Sequence, residues 1–534
     1  MGESFFGLNI AVRGLFSAQR NLDIVNHNLN NVNTPGYSRQ QVVQVAARPI
    51  AAYNGTGMIG SGSDVVAVNR VRDEYLDFKY WSENVSYGEW DAKMALLSEM
   101  EVTFNEPSDS GFTTILGDFY SSLQELAKDS GSPAVRSLVR QKGVTAAKYF
   151  NSTTTHFDNL QADINYRINA NVKETNSLAT QIQELNRQIY VSELEGNSAN
   201  DLRDQRTLLV DKMSKIINIE VNEVVVGKLS DGREDKHFVI TVSGKAIIDH
   251  FNISKLAVEQ RKTKLNEEDI PDLYEVRWED GNSLKVKGGE LRGYLDIRDG
   301  NEGGNGSPLY KGIPFYQKKL NEFVRTFAMA FNEGDMDYNG DGSIDMTSSE
   351  NGQGYVDGFG LDGLNGRRFF TILDDTANQS IDSTAFLALS GATVRDKYKN
   401  VTAKNIAVGF EAMTDYNTIG ASDAAGETGN INVLGKLLDM RHDAQMFGVG
   451  APEDFMKSLV ATLGIDSQQS VTYSNSQLAI IKQIENKRLS DSGVSIDEEM
   501  TNMVKFQQAY NASARMIQTM SEVYDTLINR LGLR

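Results

Sequence analysis

The chain has 534 residues, 40% of them apolar, which is too long for one ordinary core and enough to fold two to four domains. It contains no cysteine, which excludes a disulfide framework and thiol chemistry. Its net charge of −19 sits in the middle, because residues 1–50 carry four Arg against Glu3 and Asp23 and residues 495–534 carry four bases against five acids. An acidic body of this kind disfavours nucleic acid and anionic membrane as partners.

The opening MGESFFGLNIAVRGLF holds no basic leader, long apolar run or small-residue cleavage site, and Phe6 breaks the myristoylation pattern. No stretch reaches 18 apolar residues, so no membrane insertion is expected. Leu8, Val12, Leu15, Ala18, Leu22, Val25, Leu29 and Val32 then succeed one another by threes and fours, averaging about 3.4 residues, the step of a coiled-coil seam. The helix on that stripe has to end in the turn Asn33, Thr34, Pro35, Gly36, Tyr37. Asn accepts turn conformations, Pro35 pushes Thr34 out of the helical region, and Gly36 permits the chain to reverse.

Residues 42–75 alternate in places, with Val65, Val66, Val68 and Val71, and predict short strands after a Gly-rich turn. A helix is expected from Glu83 to Phe104, and helical patterns continue to about Ile217. The longest runs from His156 to Leu194, stops at EGNSAN and restarts at Asp201 as a helical hairpin. Between 218 and 288 the texture turns to β-branched runs with turn signals at Asp231-Gly232 and Asp280-Gly281. GELRGYLDIRD and PFYQKKLNEFVRTFAMAFNEG return to helix, residues 334–430 are rich in Gly and Asp, and further helices precede the loop SDSGVS.

The last segment repeats the seam of the first at greater length, through Ile496, Met500, Met503, Phe506, Tyr510, Ala514, Ile517, Met520, Tyr524, Leu527 and Leu531, with a mean step of 3.5. Such a helix is about 53 Å long at about 1.5 Å per residue. Ser495 is placed as its N-cap, with Asp497, Glu498 and Glu499 in the first turn and Glu498 completing a capping box. Both seams are diluted by Ala, Tyr and polar residues, so either helix alone is marginal in water, whereas paired with each other and with neighbouring copies they bury both stripes. Each stripe taken singly also fits the core face of an ordinary helical domain. Their occurrence at both chain ends favours pairing.

The expected fold is therefore α+β and multidomain, with terminal coiled-coil helices, a discontinuous α-helical domain and an inserted, mostly antiparallel β domain. The boundaries read from the sequence are 1–40 plus 495–534 for the terminal pair, and 41–217 plus 289–333 plus 431–494 for the helical domain. Residues 218–288 make the β insertion, and 334–430 an irregular region or small extra domain.

Motifs with chemical content are few. GTGMIG at 55–60 fits the dinucleotide pattern but precedes a strand-like run instead of opening a helix. DYNGDGSID places Asp337, Asn339, Asp341, Gly342 and Asp345 at positions 1, 3, 5, 6 and 9 of a calcium loop, with Ser348 where the bidentate Glu belongs. An Asx-Gly turn explains the same residues. His27, His156, His237, His250 and His442 lack metal-ligand spacing, and no nucleophile elbow or phosphate loop occurs, so neither a cofactor nor catalysis is expected.

NHNLNNVNTPGYSRQ resembles the N-terminal signature of the axial proteins of the bacterial flagellum, the rod, hook and hook-associated proteins. GSDVVAVNRVRDEYLDFKYWSE, NSANDLRDQRTLLVDKMSKI and EEMTNMVKFQQAYNASARMIQTMSEVYDTLINRLG narrow the resemblance to the hook-associated protein 1 branch of that family. It extends over 1–216 and 430–534. It implies a structural part of the junction between hook and filament, required for filament assembly and exported by the flagellar type III apparatus without a cleaved signal. It also implies self-assembly into a ring, contacts with the hook protein and the second hook-filament junction protein, and a cytoplasmic export chaperone on the C-terminal helix. Competing readings are a calcium-stiffened surface module resting on DYNGDGSID, and a hydrolase fused to an axial scaffold.

Overall fold

The computed structural model describes residues 6–51, 57–104, 108, 111–228, 234–334, 337–339, 343–345, 354–374 and 379–530. Helix α1 (Phe6–Asn30) leads into a ribbon of β1 (Gln40–Ala46) and β4 (Ser63–Arg70), extended by the short pair β2 (Ile50–Ala51) and β3 (Met58–Ile59). Four helices follow: α2 (Glu74–Phe104), α3 (Phe112–Lys128), α4 (Pro133–Leu194) and α5 (Asn200–Ile216). The next strands are β5 (Glu220–Lys228), β6 (Glu234–Val242), β7 (Lys245–Asp249), β8 (Asn252–Ile253), β9 (Leu256–Gln260) and β10 (Tyr274–Trp278). They form an antiparallel four-stranded sheet in the order β5-β6-β7-β8 and a separate antiparallel pair of β9 and β10.

Helices α6 (Glu290–Asp299) and α7 (Ile313–Glu333) return to the helical body. A small hairpin of β11 (Asp337–Asn339) and β12 (Ser343–Asp345) comes next, then β13 (Phe370–Ile372), α8 (Ser383–Leu387), α9 (Val394–Tyr398), β14 (Ile406–Val408) and α10 (Phe410–Thr414). The chain closes with α11 (Asn432–Asp439), α12 (Pro452–Ser492) and α13 (Ile496–Asp525), the last ending in a π-helical turn at Thr526–Arg530.

Two helices begin earlier than the sequence predicts. α2 starts at Glu74, not Glu83, and α4 at Pro133, not His156. Helix α4 lies against α3, α5, α6, β9 and β14 in turn. Its buried residues therefore change face along its length, and no single stripe marks its first turns. Pro133 at the first helical position was the available signal, since its fixed φ suits a helix start.

The described residues between 354 and 430 carry only short helices and strands and share the core of the helical body. Phe369 and Phe370 are buried beside Phe119 of α3 and Phe331 of α7, with ring centroids 5.3–5.7 Å apart. Asn332 clips them in place, accepting from the Phe369 and Phe370 amides at 2.9 and 3.1 Å and donating to the Phe370 carbonyl at 2.7 Å. Arg368 and Tyr398 both reach Glu333, at 2.6 and 2.8 Å.

The helices meet closely where glycine allows it. A Cβ on Gly88 would stand 2.1 Å from the Lys215 carbonyl oxygen, a backbone atom that cannot rotate away. Gly88→Ala is expected to separate α2 from α5 and cost about 1–3 kcal/mol or more, read as a lowered unfolding midpoint in urea.

The β sheet is fastened to α5 through Arg206, which lies over the Phe238 ring at 3.7 Å and donates to Glu223 at 2.7 Å. Burial pushes Glu223 upward, but Arg206 and Arg203 outweigh it and hold the carboxyl below its usual range. A depressed carboxylate stabilises the fold fully above its unfolded pKa of about 4.3 and ceases to do so as pH falls through the folded value. Glu223→Gln is expected to flatten the acid side of thermal stability, measured from about pH 5 downward.

Of the calcium-loop residues, Asp341 and Gly342 lie outside the described residues, as do the side chains of Asp337, Asn339 and Asp345. The backbone on either side pairs antiparallel, with Asp337 opposite Asp345. In GTGMIG, Met58 and Ile59 form β3, so this glycine pattern opens no helix.

Candidate functional site

Helices α1 and α13 pack along each other. They run antiparallel: a Cβ on Gly7 would stand 2.8 Å from Met520 Cε and one on Gly14 3.1 Å from Ser513 Oγ, so seven residues forward on one helix match seven back on the other. Small residues at the crossing let the axes approach. The fully buried side chains of α1 are Ala11, Ser17, Ala18, Asn21, Val25 and Asn28.

That face is offset from the predicted stripe. Leu8, Val12, Leu15, Leu22 and Leu29 are half-buried, Val25 alone of the predicted large residues is buried, and Val32 lies beyond the helix in the following turn. Weighting bulk in the sequence selects leucines, whereas a close helix contact is made by what is small. On α13, Met503, Phe506, Tyr510, Ile517, Met520 and Tyr524 are half-buried, and Leu531 lies outside the described residues. Ile496, Met500 and Leu527 are 54%, 49% and 50% exposed. One copy thus leaves much of both stripes open to water.

The expected capping box at Ser495 does not form, since its side chain makes no cap hydrogen bond. Glu498 is drawn away by Arg39, which donates to it at 2.8 and 3.1 Å and to Glu499 at 2.7 Å. A charge-assisted fork from Arg39 outcompetes the neutral Ser495 amide that a capping box would offer this carboxylate. The Arg39 amide also donates to the Ser492 carbonyl at 2.8 Å, so the two chain ends are tied together where they leave the body.

Beneath this tie lies a buried ionic hub. Asp204 of α5 accepts from the Ser38 amide at 2.7 Å, the Ser38 hydroxyl at 2.8 Å and Arg70 of β4 at 2.9 Å. Arg72 donates to the Ser38 hydroxyl at 2.9 Å and to both oxygens of Asp77 at 2.7 and 2.9 Å. Arg488 of α12 bridges Asp77 at 2.5 Å and Asp211 at 3.0 Å, while Trp81 donates to Asp211 at 2.6 Å. Burial pushes the Asp211 carboxyl up and Arg488 pulls it back.

The signature turn sits on this hub. Asn33, Thr34, Pro35 and Gly36 are exposed, Gly36 at φ +79, and the Tyr37 amide donates to the Thr34 carbonyl at 3.2 Å. The Tyr37 hydroxyl donates to Asn28 at 2.8 Å and meets His27 Nδ1 at 2.9 Å. Burial, then Asp201 and Asp204, raise its pKa and keep it protonated. Asn28 in turn exchanges two 2.9 Å hydrogen bonds with the Gln40 backbone, and Gln40 reaches Asp201 at 2.6 Å. The turn forms one wall of an open cleft of about 1140 Å³ against α2, α5 and the end of α12.

Sequence reasoning missed the hub because a charge on an amphipathic helix reads as solvated. The local sequence gives no signal either: Asp204 lies between Arg203 and Gln205, Asp211 between Val210 and Lys212, and Arg488 between Lys487 and Leu489. The stretches NHNLNNVNTPGYSRQ, GSDVVAVNRVRDEYLDFKYWSE and NSANDLRDQRTLLVDKMSKI hold Ser38, Arg70 and Asp204, and they converge here with the root of α13.

Residues 97–346 match the family model described as flagellar hook-associated protein FlgK helical domain. Residues 8–37 match flagella basal body rod protein, and 485–531 match flagellar basal body rod FlgEFG protein C-terminal. The chain is 30% identical over 554 residues to flagellar hook-associated protein 1 of Bacillus subtilis, covering 100% of this chain and 99% of the relative. It is 25% identical over 576 residues to the protein of the same name from Escherichia coli, covering 98% and 99%. The flagellar hook junction protein FlgK from Burkholderia pseudomallei shares its fold, with a TM-score of 0.57 at 13% identity, over 79% of this chain and 100% of that one.

Proposed function

Because the chain belongs to the flagellar hook-associated protein 1 family, structural components of the bacterial flagellum, we propose that its copies assemble into a ring that joins hook to filament. The observation that carries this is the terminal pair: two antiparallel helices, tied to the body by Arg39, Ser38 and Asp204, with large apolar residues left half open in a single copy. Such a surface is finished by further copies and by the axial proteins above and below, here the hook protein and the second hook-filament junction protein.

The seam residues proposed to make those contacts are Leu8, Val12, Leu15, Leu22 and Leu29 on α1, and Ile496, Met500, Met503, Phe506, Tyr510, Ile517, Met520, Tyr524 and Leu527 on α13, with Leu531 beyond it. The exposed apolar positions of α13 call for a covering chaperone before export, and export through the flagellar type III apparatus follows from the same family reading. Among the described residues no helix is long and apolar enough to cross a membrane.

Deleting the gene tests the reading. Bare hooks by electron microscopy, with flagellin shed into the medium, are expected. Filaments of normal number on the deleted cells would overturn it.

A further inference from the structure

The surface beside α1 carries a knob and a groove. β2 and β3 are joined by two ladder pairs, Ile50 opposite Ile59 and Ala51 opposite Met58, and their side chains Ile50, Met58 and Ile59 are 54%, 72% and 48% exposed. A hairpin this short is marginal in water, and three large apolar side chains at its surface mark it for contact. The groove, about 1020 Å³, runs between the outer face of α1 and β4, where Phe16 and Val66 are 64% and 58% exposed.

The two features do not meet within one copy. Asn28 holds Gln40 at one end of the ribbon, Arg13 holds Asp64 at 2.7 Å, and Gly62 lies against Ile10 and Arg13. The ribbon therefore runs beside α1 toward the helix's N-terminal end, and the hairpin continues past it. The groove is lined by β4 as far as Ser63, and Ile59 lies four residues further back along the chain, at most about 13 Å at about 3.3 Å per residue, so the knob stands beyond the end of its own groove.

We propose that the hairpin of one copy seats Ile50, Met58 and Ile59 over Phe16 and Val66 in the groove of a second copy displaced along the helix pair. A knob and a groove on different parts of one chain make a head-to-tail contact, which propagates from copy to copy instead of closing in a pair. The groove lies on α1, the helix whose leucine side the assembly reading also covers, so the two contacts share one element. The inference rests on the assembly reading above.

The chain has no cysteine, so an introduced pair reports without background. Phe16→Cys with Met58→Cys, as the only copy in the cell, is expected to give a ladder of disulfide-linked multimers from isolated flagella on a non-reducing gel. Each single variant, and the purified unassembled double variant, should stay monomeric. Monomer alone from oxidised flagella with normal filaments would overturn the contact. If the double variant grows no filaments, co-expressed single variants carry the readout: a heterodimer band supports the contact and its absence overturns it. Failure of the assembly reading appears separately, as filaments on cells lacking the chain.

Discussion

Cells whose only copy carries Met500→Asp with Leu527→Asp are expected to build hooks and shed flagellin, while the purified variant melts at the parent temperature. In one copy both residues are about half exposed, 49% and 50%, so a carboxylate there still reaches water and costs the monomer within about 0.5 kcal/mol. In an assembly that covers the open side of α13, each carboxylate loses its water with no cation placed to receive it, a penalty of several kcal/mol per ion. The loss recurs in every copy, so filament number, counted by electron microscopy, should fall to near zero. Filaments of normal number would show that this side of α13 stays wet in the assembled structure. A lowered melting temperature would show instead that the two positions already matter to the single chain.

The two end helices were legible because apolar stripes with mean steps of about 3.4 and 3.5 run from Leu8 to Val32 and from Ile496 to Leu531, and the β insertion because β-branched runs with Gly turns differ so plainly from their surroundings. The face that joins α1 to α13 was not. Gly7, Ala11, Gly14 and Ala18 recur at heptad spacing, but a hydrophobic pattern ignores glycine, so of these four the predicted stripe holds only Ala18 and is otherwise carried by the neighbouring leucines and valines. Those leucines are the half-open side. The anchor was invisible for a different reason: Ser38, Asp77, Asp204 and Arg488 are far apart in the chain, and only the fold reveals that each is another's partner. Ser495 shows local reasoning overridden by a distant residue, since nothing within the helix start announces Arg39.

Asp204→Ala is expected to loosen the terminal pair from the body without unfolding the body. Asp204 is buried, and its carboxylate takes the Ser38 amide and hydroxyl and the Arg70 guanidinium, at 2.7, 2.8 and 2.9 Å. Truncating it strands a backbone N–H and a guanidinium that is 15% exposed, at a cost of about 3–5 kcal/mol. The place where that cost is felt follows from the fold. The aromatic core around Phe119, Phe331, Phe369 and Phe370 lies among other elements, whereas Ser38 lies on the stretch that leads from α1 into the body. Cleavage at residues 31–40 under limited proteolysis should therefore accelerate by 10²-fold or more, since about 1.4 kcal/mol of local opening corresponds to about tenfold. Asp204→Asn keeps the shape and one acceptor and should fall between Ala and parent. Equal cleavage rates for parent and Asp204→Ala would mean that other contacts, among them the Arg39 amide on the Ser492 carbonyl of α12, hold the terminal pair without the hub.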